Sequence, residues 1–344
     1  MNGTGAPVDG DFGWLDEIPR ALLGHWPTPL EPLDRLSEQL GGPRIWVKRD
    51  DCSGLATGGN KTRKLEYALA EARAQGLERV LTFGAVQSNH ARQAAAACAR
   101  LGLECHLLLS RRVPWSHPGY EKGGNLLLDQ LFGATVTVAD LDEVDRVFDS
   151  LLSQLGGQEA VYVMPAGGSS ATGALGYVRC AAELQAQSAA MGVDFDALYH
   201  ASASAGTQAG LLTGLAAGGA ELPVVGVNVF HRDPQTLKAR IARLCGELQT
   251  RYGVAVPESA IQIEHGYLGA GYGLPGREQL DAIELTARLE GLLFDPVYSG
   301  KALHALVQEI THGHLDEHSN VLLMHTGGVT AWGVYDDAVY QTGR

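Results

Sequence analysis

The chain has 344 residues, 45% of them hydrophobic and 19% charged, with a formal net charge of −13. That size and composition predict one large or two modest domains with ample core. The acidic balance excludes nucleic acid or an anionic membrane as the main partner, because both attract cationic surfaces.

No stretch reaches the ~20 apolar residues of a membrane span. Residues 1–11 lack the basic and apolar segments of a secretory leader, and the first dozen residues read as a flexible tail. The five cysteines are scattered without metal-ligand spacing, which predicts reduced thiols and a cytoplasmic protein. Prolines 27, 29 and 32 break up short apolar pieces before a helical pattern over 33–40. Ile45-Trp46-Val47 is strand-like and feeds a polar turn ending Gly58-Gly59-Asn60-Lys61. Residues 62–76 then place Leu65, Ala68, Leu69 and Ala72 on one helical face, closed by Gly76. Strands are predicted at 80–83, 105–109, 135–138 and 161–164, alternating with helices over 91–101, 125–132 and 143–155. The alternation resumes with helices over 172–191, up to about 217, over 234–252 and over 277–289. Its strands are predicted at 197–201, 224–229 and 321–324. Strands that each end in a Gly/Ser/Asn turn before a helix predict parallel sheets covered on both faces.

Three of those turns carry chemistry. Lys61 follows two glycines, so a tight turn fixes its direction and a partly buried amine can have its pKa adjusted by its surroundings. Ser204-Ala205-Gly206-Thr207 lies between a strand and a helix, where backbone N–H groups and the helix dipole suit a phosphate. Gln87-Ser88-Asn89-His90 is a similar turn, suited to a carboxylate, and its Ser and Asn also suit a helix N-cap. Tyr272 and Tyr298 sit in glycine-rich segments. Among the 12 histidines, His312-Gly313-His314 with Asp316, Glu317 and His318 matches no metal motif, and solvated surface residues are the expectation there. The Gly-x-Ser-x-Gly elbow of hydrolases is absent. Residues 271–276 spell Gly-x-Gly-x-x-Gly, but no strand runs directly into them, so no dinucleotide site is expected.

Together these motifs resemble the pyridoxal-phosphate enzymes of the tryptophan-synthase-β fold. The closer resemblance is to the family of 1-aminocyclopropane-1-carboxylate (ACC) deaminase, D-cysteine desulfhydrase and L-cysteate sulfo-lyase. It covers the chain from Pro27-Thr28-Pro29-Leu30 to His325-Thr326-Gly327-Gly328. It implies two open, twisted, mainly parallel sheets with helices on both faces, with a small domain of residues 62–170 inserted into a large one of 1–61 and 171–344. The cofactor implied is pyridoxal 5'-phosphate, held by Lys61 and flanked by Asn60, Asn89, Ser204, Ala205, Gly206, Thr207, Ser299 and Thr326. Ser88, Asn89 and His90 are implied for the substrate, and Lys61, Ser88, Tyr272 and Tyr298 for catalysis. No metal is implied, and a homodimer is. ACC deaminases carry glutamate after the second tyrosine, where this chain has Ser299. A hydroxyl there favours loss of a leaving group from Cβ over opening of a cyclopropane. The resemblance therefore implies α,β-elimination from D-cysteine or L-cysteate, with ACC deamination as the alternative. Residues 111–120 depart from the family pattern and are expected to set substrate choice, with Arg111, Arg112 or His117 available to a sulfonate.

Overall fold

The computed structural model describes residues 12–340, so the predicted tail and absent leader, apart from Phe12, lie outside the described residues. The larger sheet runs β1 (Leu30–Pro32), β2 (Arg44–Arg49), β10 (Asn320–His325), β7 (Ala197–Ser202), β8 (Val224–Asn228), β9 (Gln262–Glu264). Only β1 is antiparallel. The smaller sheet, all parallel, runs β5 (Thr135–Asp140), β4 (Glu104–Arg111), β3 (Arg79–Ala85), β6 (Tyr162–Met164). The helices are α1 (Asp34–Leu40), α2 (Lys61–Ala74), α3 (Asn89–Leu101), α4 (Gly124–Leu131), α5 (Val144–Gln154) and α6 (Ala171–Met191). They continue with α7 (Gly206–Ala217), α8 (Pro234–Tyr252), α9 (Arg277–Glu290), α10 (Ser299–Thr311), α11 (Trp332–Tyr335) and α12 (Asp337–Tyr340).

The unbroken apolar run of β10 follows from burial on both faces. Leu322 and Met324 pack with α6, α7 and α8, while Val321 and Leu323 face the core under α1, α9 and α10. In register beside them, Trp46 joins the first layer and Ile45 and Val47 the second. The smaller sheet repeats the arrangement: Val80 and Leu107 pack with α2 and α3, and Leu81 and Leu108 with α5. The strand nearest the C-terminus thus sits between β2 and β7, which brings the 326–327 turn beside the Lys61 turn.

Several features differ from the sequence expectation, the short β9, α11 and α12 among them. Pro29 and Pro32 obscured β1, which as an edge strand tolerates proline. The motif around Tyr298 masked α10, although Ala302, Leu303, Ala305, Leu306 and Ile310 form a buried helical face. Helix α2 begins on Lys61 itself.

A buried ionic cluster ties β2 to α2 and α6. Arg63 donates to Asp50 at 2.8–3.1 Å and to Glu183 at 2.9 and 3.0 Å. Lys48 bonds Glu183 as well, and Tyr177 donates to Asp50. Burial raises the Asp50 pKa, but the Arg63 guanidinium outweighs it and holds the carboxyl below its ordinary value. Replacing Arg63 with Met leaves the buried Asp50 carboxylate without its paired cation, while Glu183 keeps only Lys48. The expected loss is about 3–5 kcal/mol of unfolding free energy, read from the denaturant midpoint; a loss below about 1 kcal/mol would remove the cluster from any structural role.

Candidate active site

The carboxyl ends of β2, β10 and β7 from one sheet and β3 and β6 from the other open onto one cavity of about 240 Å³. This is where open α/β sheets bind ligands. Lys61 enters through the turn after β2. Gly58, at φ +77°, runs so close to Asp51 that a Cβ would lie 1.7 Å from its carbonyl oxygen, so only glycine makes this turn. The amides of Lys61 and Thr62 each donate to Gln93 Oε1 at 3.1 Å, so α3 caps the start of α2. Gln93 Nε2 donates back to Asn89 O, joining the Lys61 turn to the Ser88 turn. Among the described residues the Lys61 amine has no hydrogen bond or ion pair. Burial pushes its pKa down to about 8, so near pH 8 roughly half the amine is neutral and nucleophilic.

The second wall is the start of α7. Ala205 stands before the helix at φ +75° and offers it no side-chain cap, so apart from the N–H that Ser169 takes the first donors stay open. Such a conformation costs an L-residue roughly 1–2 kcal/mol. Ser169 Oγ accepts from Gly206 N at 3.2 Å and donates to Ser204 Oγ at 2.8 Å. Lys64, fully buried, donates to Ser169 Oγ at 3.1 Å from behind. Uncapped N–H groups at a helix N-terminus, with an amine one layer beneath, form an anion cradle.

The third wall is the start of α3. Ser88 Oγ caps the helix by accepting from Ala91 N at 3.2 Å. Asn89 Oδ1 accepts from Arg92 Nη1 and from Asn125 Nδ2, each at 3.0 Å, which leaves the Nδ2 end of its amide for the cavity. Thr82 gives its single hydroxyl proton to Met164 O, so its oxygen accepts from His90 Nε2 at 2.8 Å. His90 is therefore the Nε2–H tautomer. Burial, with the Lys61 and Lys64 charges, holds it neutral, and its buried Nδ1 is an unsatisfied acceptor.

On the fourth side the Tyr272 and Tyr298 hydroxyls bond each other, their ring centroids 5.5 Å apart. Burial holds both phenols above their ordinary pKa, so both stay protonated. Behind them Asp295 is fully buried, its Oδ1 accepting from Tyr298 N at 2.7 Å and Ser299 N at 2.8 Å.

Eleven of the predicted site residues meet on this cavity: Asn60, Lys61, Ser88, Asn89, His90, Ser204, Ala205, Thr207, Tyr272, Tyr298 and Thr326. Gly206 and Ser299 are buried directly behind its wall, and Ser299 Oγ bonds Asp295 and Gly327. Of the three cations in the divergent segment, Arg112 lines the cavity. Arg111 is instead paired with Glu121 and Asp140, and His117 with Asp336. His312 and His314 are exposed just past α10, with His314 bonded to Glu309. Residues 271–276 lie between β9 and α9 with no strand leading into them, and they deliver Tyr272. Sequence reasoning missed Lys64, Gln93, Arg92, Ser169 and Asp295. Lys64 and Gln93 lie three and four residues beyond Lys61 and Asn89, the spacing that shares a helical face, so a polar pair at that spacing was the available signal.

The family model described as "Pyridoxal-phosphate dependent enzyme" matches residues 21–327. The chain belongs to that family. It is similar to the D-cysteine desulfhydrase of Yersinia enterocolitica, 42% identical over 94% of this chain and 98% of the relative. The ACC deaminase of Burkholderia ambifaria is 41% identical, over 93% and 97%. Among solved structures, an ACC deaminase homologue superposes with a TM-score of 0.84 at 34% identity, covering 96% and 98%. A pyridoxal-phosphate-dependent aspartate racemase shares the fold, with a TM-score of 0.63 at 17% identity over 88% and 90%. The cofactor is pyridoxal phosphate, and this cavity fits it. The buried amine of Lys61 suits the aldehyde, the uncapped start of α7 suits the phosphate, and the amide of Asn89 suits the ring oxygen.

Asp129 lies buried near Arg92, and among the described residues neither of its carboxyl oxygens is bonded. Burial pushes its pKa up to about 7, against the pull of Arg92. The folded protein thus holds this proton more tightly than the unfolded chain does. The stabilisation is complete below the ordinary carboxylate pKa and is lost as pH rises through about 7. Asp129→Asn should flatten that decline, and by pH 8 the variant should exceed the parent by up to about 4 kcal/mol. Denaturant unfolding at pH 5 and pH 8 measures the difference.

Proposed function

We propose that this enzyme is a lyase acting by α,β-elimination on a small cysteine-like amino acid, of the D-cysteine desulfhydrase or L-cysteate sulfo-lyase type. With one water, the products are pyruvate, ammonia and sulfide or sulfite. Pyridoxal phosphate, when bound, supplies the sink for the electrons left at Cα. Lys61 would hold it covalently and, once displaced by the substrate amine, carry the Cα proton. The N–H groups of Ser204, Ala205, Gly206 and Thr207 would hold the phosphate, while Asn60, Asn89, Thr326 and Ser299 surround the ring. The Ser88 hydroxyl and the backbone N–H groups of Asn89 and His90 at the start of α3 would receive the substrate carboxylate. Tyr272 and Tyr298, both protonated and hydrogen-bonded to each other, can pass a proton to the departing group.

The observation that carries this choice of reaction is the hydroxyl at Ser299, where the side chain itself brings no carboxylate. It accepts from Asp295 N at 3.0 Å and shares its proton between Asp295 Oδ1 at 3.3 Å and Gly327 O at 3.4 Å. Asp295 spends an oxygen on two backbone amides, capping α10. Without an anion in that position the ring is a weaker sink, which suits expulsion of a good leaving group and not the opening of a cyclopropane. The ACC deaminase alternative draws on the relatives of that name.

We take residues 62–170 as a small unit, since all four strands of the smaller sheet fall within it. A cytoplasmic homodimer is the assembly this reading implies, and exposed Leu22, Leu127 and Leu131 are apolar surface that pairing would cover.

The purified protein should be yellow, and Lys61→Ala should lose both the visible band and turnover. Reconstitution of cofactor-free protein should accelerate as pH rises through about 8, because the neutral amine is the nucleophile; a pH-independent rate would contradict the depressed pKa. Pyruvate should form from D-cysteine, L-cysteate or β-chloroalanine. Robust 2-oxobutyrate from ACC would instead establish the alternative.

A further inference from the structure

The cavity is cationic in a chain of net charge −13. Its lining includes Lys61, Arg112 and Arg240 and, among the described residues, no Asp or Glu. Lys61 is committed to the cofactor. Arg240, on α8, acts electrostatically on His231, whose Nε2 is bonded to Ala203 O, so it belongs to the phosphate-loop side. Arg112 is left. It follows β4, and its Nε donates to Ser110 Oγ at 2.7 Å, while Ser110 donates to Gly84 O at 3.1 Å. Its guanidinium lies over Phe230, 5.8 Å from the ring centroid, and Phe230 meets Tyr272 edge-on at 4.8 Å. The Arg112 charge also favours the ionised form of Tyr272, against the larger effect of burial. Among the described residues no carboxylate pairs with Arg112, whereas its neighbour Arg111 holds two. One edge of a planar fork is thus anchored, and the guanidinium stands on the cavity lining beside Phe230 and near enough to Tyr272 to act on it.

We propose that Arg112 is the specificity-determining residue for an anionic β-substituent, so that the substrate class is a β-sulfonated amino acid such as cysteate. This rests on the α,β-elimination reading and narrows it. A guanidinium fork matches an oxyanion bidentately, and a thiol offers it no such acceptor. Elimination then breaks the Cβ–S bond with both electrons leaving on sulfite and the Cα proton removed by Lys61. Water completes pyruvate and ammonia, and no oxidant is required.

The test uses holoenzyme and two readouts. Binding of L-cysteate and of the neutral L-serine is followed by the change in visible absorption, and pyruvate is measured from L-cysteate, D-cysteine and β-chloroalanine. The wild type should bind cysteate more tightly than serine. R112Q should lose at least about tenfold of that preference, equivalent to about 1.4 kcal/mol, and R112K should retain part of it. In turnover the same loss should appear in KM for cysteate. Equal binding of the two ligands, no binding of cysteate, or a preference that survives R112Q with an unchanged melting profile would overturn the proposal. Selective cysteate binding lost in R112Q, without pyruvate from any substrate, would uphold the Arg112 site and overturn the elimination reading. Pyruvate from β-chloroalanine without cysteate preference would do the reverse.

Discussion

A lysine amine can be buried and still point one way only if the helix that carries it cannot rotate. Here that constraint is the Arg63–Asp50–Glu183 cluster, two residues beyond Lys61. Asp50 ends the run of β2, Arg63 sits on the first turn of α2, and Glu183 comes from α6. The guanidinium therefore fixes the rotation of α2 against both elements, and Trp26 covers it at 4.1 Å. Desolvating these charges gains little stability by itself, since buried ion pairs roughly break even against apolar packing. Their value lies in geometry: Lys61 and Lys64 share the helical face that the cluster leaves turned towards the cavity and its phosphate cradle.

The same economy of charge governs the cavity. A cofactor phosphate and an amino-acid carboxylate bring several negative charges into a protein already at −13. On the proposed reading, backbone dipoles at the starts of α7 and α3 would offset those charges without competing titratable groups. Where ionisable side chains do face inward, burial holds them neutral: His90 as one tautomer, Tyr272 and Tyr298 as phenols. Neutral groups that can both donate and accept move protons without bringing a counter-charge into the site. Arg112 and Arg240 keep permanent charges on the same lining, and on the proposed reading Arg112 is the one that reports on the substrate.

Much of this was legible in the sequence. Strand–turn–helix alternation gives the parallel sheets, and the Gly58-Gly59, Ser204–Thr207 and Ser88–His90 turns all fall at carboxyl ends of strands, where a doubly wound fold gathers its ligands. The supporting residues were less legible, because their partners are distant in sequence. Gln93 joins α2 to α3, Ser169 joins β6's turn to α7, and Arg92 reaches Thr330 across 238 positions. Arg111 and Arg112 look equivalent on the page. Only the structure separates them: Arg111, the last residue of β4, meets Glu121 and Asp140, while Arg112, just past the strand, meets the cavity.

Ser299 shows how such support changes chemistry. The sequence suggests that a hydroxyl replaces a charge and leaves the site neutral. In the structure a carboxyl, Asp295, lies 3.3 Å from that hydroxyl, which could restore the anion. It does not act freely, because its oxygen accepts the Tyr298 and Ser299 amides. Burial raises its pKa to about 6, with those amides pulling it back down. A carboxylate that caps a helix and presents a hydroxyl in front of itself polarises weakly at a distance. On the proposed reading, with Ser299 beside the cofactor ring, Asp295 would therefore act on that ring only through the hydroxyl, which fits the departure of a β-substituent.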